Sequence, residues 1–207
     1  LENDSILPAA EIEALRQQAL KLPPSAAIQT APGAPDGAAG AGAPTVGVGF
    51  QAIDYTNTAG YVPPDPQMAA GPNHLIVAVN TSFAIYSKSG NVLRAPTDFL
   101  TLVGGNSNCN DFLLDPNVVY DESADRFILA IDNDGLYYCM AVSAGPDPLG
   151  TWRIYAIPTA TGSDFFDYPH VGVGRDAIYM GANIFTTTSF KESRVWAFNK
   201  WSMYNGQ

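Results

Sequence analysis

The chain has 207 residues, of which 46% are hydrophobic and 11% aromatic, a composition typical of a folded domain rather than a disordered one. Its 20 acidic residues outnumber 10 basic ones and give a formal charge of −10, which argues against nucleic acid or an anionic membrane surface as the partner, because both require a basic face. Cations, neutral sugars and other proteins remain, and no apolar run approaches the roughly 18–20 residues of a membrane span.

Residues 1–22 have the pattern of a short helix. Glu11 and Glu13 come early and Lys21 comes late, an order that suits the helix dipole. From 23 to 49, Pro, Gly and Ala occupy 19 of 27 positions and no aromatic residue is present, so this segment lacks the side chains needed to build a core. We interpret this segment as a flexible linker. The helix that precedes it either docks on a partner or packs loosely on its own domain.

Three six-residue segments, LIVAVN, FILAID and IYMGAN, show that the rest of the chain is repetitive. They begin at Leu75, Phe127 and Ile178, 52 and then 51 positions apart. A period of this size indicates a repeated supersecondary unit. Each segment follows another apolar piece and a turn, and precedes a third apolar piece, so each unit predicts an antiparallel meander of three or four strands.

These units have the size of a propeller blade. We place them at about 60–102, 109–157 and 164–207, within a β domain over 50–207. The predicted fold is all-β: about three blades of a larger antiparallel β-propeller behind a short N-terminal helix and a flexible linker. Because propellers typically have four to eight blades, we expect further blades from the same or another chain. A small open sheet or sandwich of the same hairpins is the alternative.

Polar residues lie at one end of each predicted hairpin. Opposed residues of an antiparallel pair have a constant sum of residue numbers, which predicts one polar pair in each unit. The predicted pairs are Asp65 with Asn80, Asp115 with Asp132, and Tyr168, next to Asp167, with Asn183. In a propeller these ends gather around the axis on one face. The candidate ligand-binding residues on that face are Asn80, Tyr168, His170 and Asn183.

Asp115 and Asp132 form the sharpest pair, because two opposed carboxylates repel unless they share a proton or a cation. Oxygen ligands favour Ca²⁺, and Asp134 could complete the set. The sequence therefore predicts a calcium site formed by these three aspartates. Two alternatives remain: the carboxylates lean apart into solvent, and the segment from Asp132 to Gly135 is a simple turn, since the other positions of a calcium loop are missing.

Cys109 and Cys139 bracket the second unit. A disulfide between them would stabilise the fold by about 3–4 kcal/mol in the chain-entropy model and indicates an oxidising compartment. Two buried reduced thiols in a cytosolic protein are the alternative.

Several spaced motifs resemble those of large secreted or cell-surface bacterial β-propeller proteins. The motifs are DPNVVYDESADRFILAI, AVSAGPDPLGTW, DYPHVGVGRDAIYMGANIF and VWAFNKWSMYNG. No activity is assigned to that group, so the resemblance implies a fold and an extracytoplasmic setting rather than a reaction. The segment from Asp147 to Trp152 also resembles, with altered spacing, the Asp-box turn of sialidase-type propellers. There the Asp and Gly shape a hairpin and the Trp packs between sheets, so we favour a structural role for Trp152 over sugar binding.

Strands that open with Asp-Pro resemble, more distantly, those of five-bladed glycosidases, in which an Asp at that place is the general base. On this resemblance Asp65, Asp115 and Asp167 are the candidate catalytic residues of a glycan-active hydrolase or lyase. No glutamate acid is evident, because Glu122 lies in a turn and Glu192 in a loop. We therefore expect a non-catalytic binding or accessory module, periplasmic, secreted or on the cell surface, that contacts a protein partner within a larger complex.

Overall fold

The computed structural model describes residues 49–57 and 61–207. The predicted helix over 1–22 and the predicted linker, except Gly49, lie outside the described residues. In the described part, antiparallel strands form three separate sheets. Sheet 1 contains β1 (Gln67–Ala70), β2 (His74–Val79), β3 (Ser82–Ser87) and β4 (Val92–Asp98); sheet 2 contains β5 (Leu113–Asp121), β6 (Arg126–Asn133), β7 (Tyr137–Ser143) and β8 (Trp152–Pro158); sheet 3 contains β9 (Phe165–Val173), β10 (Ala177–Phe185) and β11 (Phe190–Asn199).

Each sheet is a meander, in which consecutive strands are neighbours. Two short helices follow the last strands of sheets 1 and 3: α1 (Leu100–Val103) and α2 (Lys200–Tyr204), and a 3₁₀ turn spans Tyr55–Asn57. Neither of these helices has the length or the apolar composition needed to cross a bilayer. The prediction of an all-β fold built from three repeated antiparallel units is confirmed at this level.

The first strands of the three sheets lie side by side, since β5 contacts both β1 and β9. This adjacency brings equivalent positions of the three repeats into one region. It is the feature of the fold that builds the candidate site described below.

Strand β6 lies between two apolar clusters. Phe127, Leu129 and Ile131 belong to a cluster shared with sheet 1, whereas Ile128 and Ala130 belong to a cluster shared with sheet 3. Successive side chains of a strand point to opposite faces, so a strand covered on both faces needs an unbroken apolar run. The repeat segment FILAI meets this requirement, and all five residues are at most 1% exposed.

The predicted disulfide is confirmed. Cys109 and Cys139 are bonded, with their Cα atoms 5.8 Å apart, and both are buried. The bond ties the segment that follows α1 to strand β7, so it links the connection between sheets 1 and 2 to the interior of sheet 2.

A buried ion pair fastens α2 to the turns of sheets 2 and 3. Lys200 Nζ donates to Asp121 Oδ2 (2.9 Å), Ser123 Oγ (3.0 Å) and the Gly174 carbonyl (2.8 Å), and the Tyr204 hydroxyl donates to the same Asp121 oxygen (2.7 Å). Burial alone raises the pKa of Asp121, but the hydrogen bonds from Ser123, Lys200 and Tyr204 outweigh it and lower the pKa to about 2. Asp121 is thus held as a carboxylate.

The predicted register holds beside the turns, where Ala70 lies opposite Leu75. The pairs Tyr120 with Phe127 and Val173 with Ile178 are also observed. At the opposite end of the hairpins the predicted register is wrong by one residue in sheets 2 and 3, whereas in sheet 1 the predicted partners Asp65 and Asn80 are joined by a side-chain hydrogen bond (2.6 Å).

In sheet 2, Leu114 rather than Asp115 lies opposite Asp132, because Asp115 and Pro116 together face one residue of β6. In sheet 3, the equivalent bulge at Tyr168 and Pro169 sets Asp167, not Tyr168, opposite Asn183. In sheet 1, the ladder begins only at Gln67, so Asp65 precedes it.

The physical reason is the proline in each segment. Proline cannot donate a ladder hydrogen bond and interrupts regular pairing. The residues before it, Asp65, Asp115 and Tyr168, have positive φ values of 46°, 51° and 55°. A left-handed residue of this kind is typical of one class of β-bulge, which re-aims the side chains around it.

Candidate functional site

Three equivalent tripeptides converge on one cavity of about 240 Å³. We call them the proline rim: Asp65-Pro66-Gln67 before and at the start of β1, Asp115-Pro116-Asn117 in β5, and Tyr168-Pro169-His170 in β9. Because β1, β5 and β9 are neighbours, the same bulge in each repeat faces the same space. The cavity combines carboxylates, carboxamides, a phenol, an imidazole and three proline rings.

Asn80 joins the first and second segments of the rim. Its Nδ2 donates to Asp65 Oδ2 (2.6 Å) and to the Pro63 carbonyl (3.0 Å), and its Oδ1 accepts from the Asp115 backbone N–H (2.8 Å). The side chain is fully buried and is not part of the cavity lining. Asn80 was predicted as a ligand-binding residue, but in this arrangement it positions two residues that line the cavity.

Asn117 performs the equivalent task between the second and third segments. Its Nδ2 donates to the Pro169 carbonyl (2.8 Å), and its Oδ1 accepts from the Val171 N–H (3.2 Å). Asp115 Oδ2 also accepts from the Tyr168 N–H (3.3 Å). Asn117 was not among the predicted site residues. Its position directly after a proline, which is also the position of Gln67 and His170, was the available signal.

Tyr168 and His170, two of the predicted ligand-binding residues, both line the cavity and are exposed to solvent. Tyr168 is 62% exposed, and its ring stands edge-on to the His170 ring with centroids 4.6 Å apart. Asn183, the remaining predicted binding residue, lies on β10 opposite Asp167 and does not line the cavity.

A second polar group adjoins the rim through Asp115. We call it the acidic centre, and it consists of Asp115, Asp132, Asp167 and Tyr138. Asp132 is 8% exposed, and its Oδ1 accepts from the Gly135 N–H (2.8 Å). Burial is the main cause that raises the pKa of Asp132 well above its usual range. The Gly135 hydrogen bond opposes this shift, and the charges of Asp115 and Asp167 add to it.

Tyr138 lies opposite Asp132 in the pairing of β7 with β6 and is fully buried. Within residues 49–57 and 61–207 its hydroxyl makes no hydrogen bond of ordinary geometry, although a side-chain interaction with Asn117 lowers its pKa. Burial first, and then the charges of Asp132 and Asp115, raise the pKa of Tyr138 well above its usual range. The hydroxyl therefore lies within electrostatic reach of both carboxylates.

The predicted calcium site receives no direct support from the grouping of side chains. Nowhere in the described chain are three acidic, histidine or cysteine side chains grouped so that they could hold a metal ion. Asp134 is exposed with a φ of 52°, and the Gly135 N–H bonded to Asp132 closes a turn. The turn interpretation thus fits this segment, and calcium at Asp115, Asp132 and Asp134 stays a prediction.

Of the three candidate catalytic aspartates, the structure brings Asp65 and Asp115 to the same cavity. Asp167 belongs to β9 opposite Asn183 and is not part of the lining. Its charge nevertheless acts on the buried Asp132. Asp65 and Asp115 thus share the cavity, whereas Asp167 lies within electrostatic reach of Asp132 and outside the lining.

The turn that resembles an Asp-box has a structural role. Trp152 packs against the apolar cluster between sheets 1 and 2, and its Nε1 donates to the Pro148 carbonyl (2.9 Å). Asp147 Oδ1 accepts from the Leu149 N–H (2.9 Å) and shapes the turn. The ring is thus used for packing, as the sequence predicted.

Comparison of the sequence with protein-family models and with curated proteins found no match. The geometry of the proline rim and the acidic centre is therefore the basis of the proposed function.

Proposed function

We propose that this chain is the propeller part of a non-catalytic binding or accessory module that works outside the cytoplasm and takes its ligand at the proline rim. Three meanders whose first strands are neighbours are what three consecutive blades of a propeller would provide. The remaining blades would come from the same or another chain, as part of a larger complex.

An extracytoplasmic setting is supported by the bond between Cys109 and Cys139. Structural disulfides form and persist in oxidising compartments and are rare in the cytosol. The resemblance of the spaced motifs to secreted and cell-surface bacterial proteins points in the same direction.

The observation that carries the proposal is the convergence of three equivalent tripeptides on one cavity. Clefts that combine apolar walls with a few converging polar groups are the usual form of a ligand site. Asn80 and Asn117 hold the rim in place by hydrogen bonds, so the cavity is formed before any ligand arrives. Asp65 and Asp115 give the cavity negative charge, which favours a positively charged ligand, Ca²⁺ included.

The proposal is tested by measuring binding of three ligand classes to the full chain: Ca²⁺, neutral oligosaccharides and basic peptides. The variants Asp65→Asn and Tyr168→Ala alter the rim, and Asp176→Asn is the matched control, because Asp176 lies in the turn between β9 and β10, away from the rim. We expect at least one class to bind and both rim variants to weaken it, while the control binds normally. Equal binding by the wild type and by both rim variants would refute the proposal.

A glycan-active hydrolase or lyase is the second candidate. Asp65 and Asp115 share the cavity with the exposed ring of Tyr168, a combination of acids and an aromatic platform found in sugar-cleaving sites. Asp132 has the raised pKa of a general acid, but it does not line the cavity. Turnover of a glycan by the wild type, lost in Asp115→Asn and kept in Asp176→Asn, would favour this candidate over the binding module.

A further inference from the structure

The charge of the cavity lining is one-sided. Among the described residues that line the cavity, Asp65 and Asp115 carry carboxylates, and none is a lysine or arginine. His170 is the one side chain among these described residues that can become a cation near neutral pH.

The size of the cavity suits an organic cation better than a bare metal ion. Its volume of about 240 Å³ has room for several water molecules and therefore for more than a single bare ion. Metal sites hold the ion with several directly coordinating oxygens, and the described residues offer no group of three acidic side chains for that purpose. An ammonium or guanidinium group needs only one or two carboxylates at hydrogen-bond distance.

The walls suit the rest of such a ligand. The exposed ring of Tyr168 can cover a cation with its face, an interaction that strengthens when the cation is partly desolvated. Pro66, Pro116 and Pro169 add apolar surface, against which the methylene stem of a lysine or arginine can lie. The lining therefore provides an acidic region for the charged head and an apolar region for the stem.

We propose that the proline rim binds a lysine or arginine side chain presented by a partner protein. This inference rests on the proposed binding function and names its ligand class. Asp65 and Asp115 would accept hydrogen bonds from the ammonium or guanidinium, and the Tyr168 ring would cover this cation while the three prolines contact the stem.

The experiment uses isothermal titration of the full chain with four capped single residues. Lysine and arginine derivatives carry the charge, and norleucine and citrulline derivatives have the same stems without it. We expect binding of the two charged derivatives only, weakened by added salt. Asp65→Asn and Tyr168→Ala should each weaken it about tenfold or more, and the control Asp176→Asn should not change it.

The remaining outcomes separate the inference from the proposed function. If neutral oligosaccharides or Ca²⁺ alone bind in a rim-dependent manner and the charged derivatives do not, the inference fails while the binding function stands. If no ligand class depends on the rim, both fail. Spermidine that binds more tightly than lysine- or arginine-containing peptides would overturn the assignment to a protein partner. Circular dichroism of each variant shows whether a loss of binding is a loss of folding.

Discussion

Tyr138 lies directly opposite Asp132 in the pairing of β6 with β7, and both buried side chains belong to the acidic centre. One carries a hydroxyl without a hydrogen-bond partner among the described residues, and the other a carboxyl group whose pKa is raised mainly by burial. The two side chains together make this end of sheet 2 polar where the rest of β6 is apolar. The acidic centre therefore lowers the stability of the folded protein.

Tyr138→Phe should leave the free energy of unfolding unchanged or raise it by up to about 1 kcal/mol, because the lost hydroxyl makes no hydrogen bond of ordinary geometry to the described residues. The matched control is Tyr204→Phe, whose hydroxyl donates to Asp121 at 2.7 Å. That change should lower stability by about 1–2 kcal/mol. Urea denaturation measures both, and a loss as large for Tyr138→Phe as for the control would mean that its hydroxyl is engaged.

Asp132→Asn should stabilise the protein at neutral pH by about 1 kcal/mol or more, since it removes a buried charge and keeps the oxygen that accepts from Gly135. A carboxyl whose native pKa is raised binds its proton more tightly when folded. Stability is then lost as the pH rises from the unfolded pKa near 4 toward the native pKa. The gain from the substitution should shrink as the pH is lowered to 4.

Bound Ca²⁺ would reverse the expected effect of Asp132→Asn on stability. If Ca²⁺ binds at Asp115, Asp132 and Asp134, Asp132→Asn should lower the melting temperature in Ca²⁺ and abolish the stabilisation of the wild type by the ion. Thermal melts of the wild type with Ca²⁺ and with a chelator provide the test. Identical melting in the two conditions would contradict the calcium site.

Lys200→Met should destabilise the protein by about 3–5 kcal/mol, because it leaves the Asp121 carboxylate buried without its cation. The double variant Asp121→Asn with Lys200→Met should lose less than the sum of the two single losses. Asp121 has a native pKa of about 2, below its ordinary value of 3.8. Its contribution, about 2 kcal/mol, is complete above pH 4 and is lost as the pH falls toward 2. Denaturation curves recorded across that range should show this loss in the wild type and not in the double variant.

Replacing both Cys109 and Cys139 by alanine should cost about 3–4 kcal/mol, the chain-entropy value for residues 30 positions apart. The measurement is urea denaturation at one pH, with the reduced wild type as a second sample. Labelling of two free thiols in the native, unreduced protein would contradict the bond itself.

The sequence predicted those features that depend on pattern within one repeat. Apolar segments 52 and 51 residues apart specify the three sheets, and the turn residues specify the register of Ala70 with Leu75. The position of the disulfide followed from two cysteines in one unit. In each of these the interacting groups lie within one repeat, so local pattern is sufficient.

Features that join different repeats were not predictable in the same way. The constant-sum rule assumes an unbroken ladder, and the bulges before Pro116 and Pro169 break it. The contacts of Asn117 with Pro169 and Val171 span 52 and 54 positions, and Lys200 meets Asp121 across 79. No local pattern specifies such contacts, and a buried lysine runs against the usual preference of its type.

The two-sided burial of β6 means that its odd and even positions can be varied as separate sets. A loss of volume at Leu129 would loosen the contact with sheet 1, while the same loss at Ile128 would loosen the contact with sheet 3. Sheet 2 therefore packs against sheet 1 on one face and against sheet 3 on the other, and β6 contributes alternate side chains to each contact.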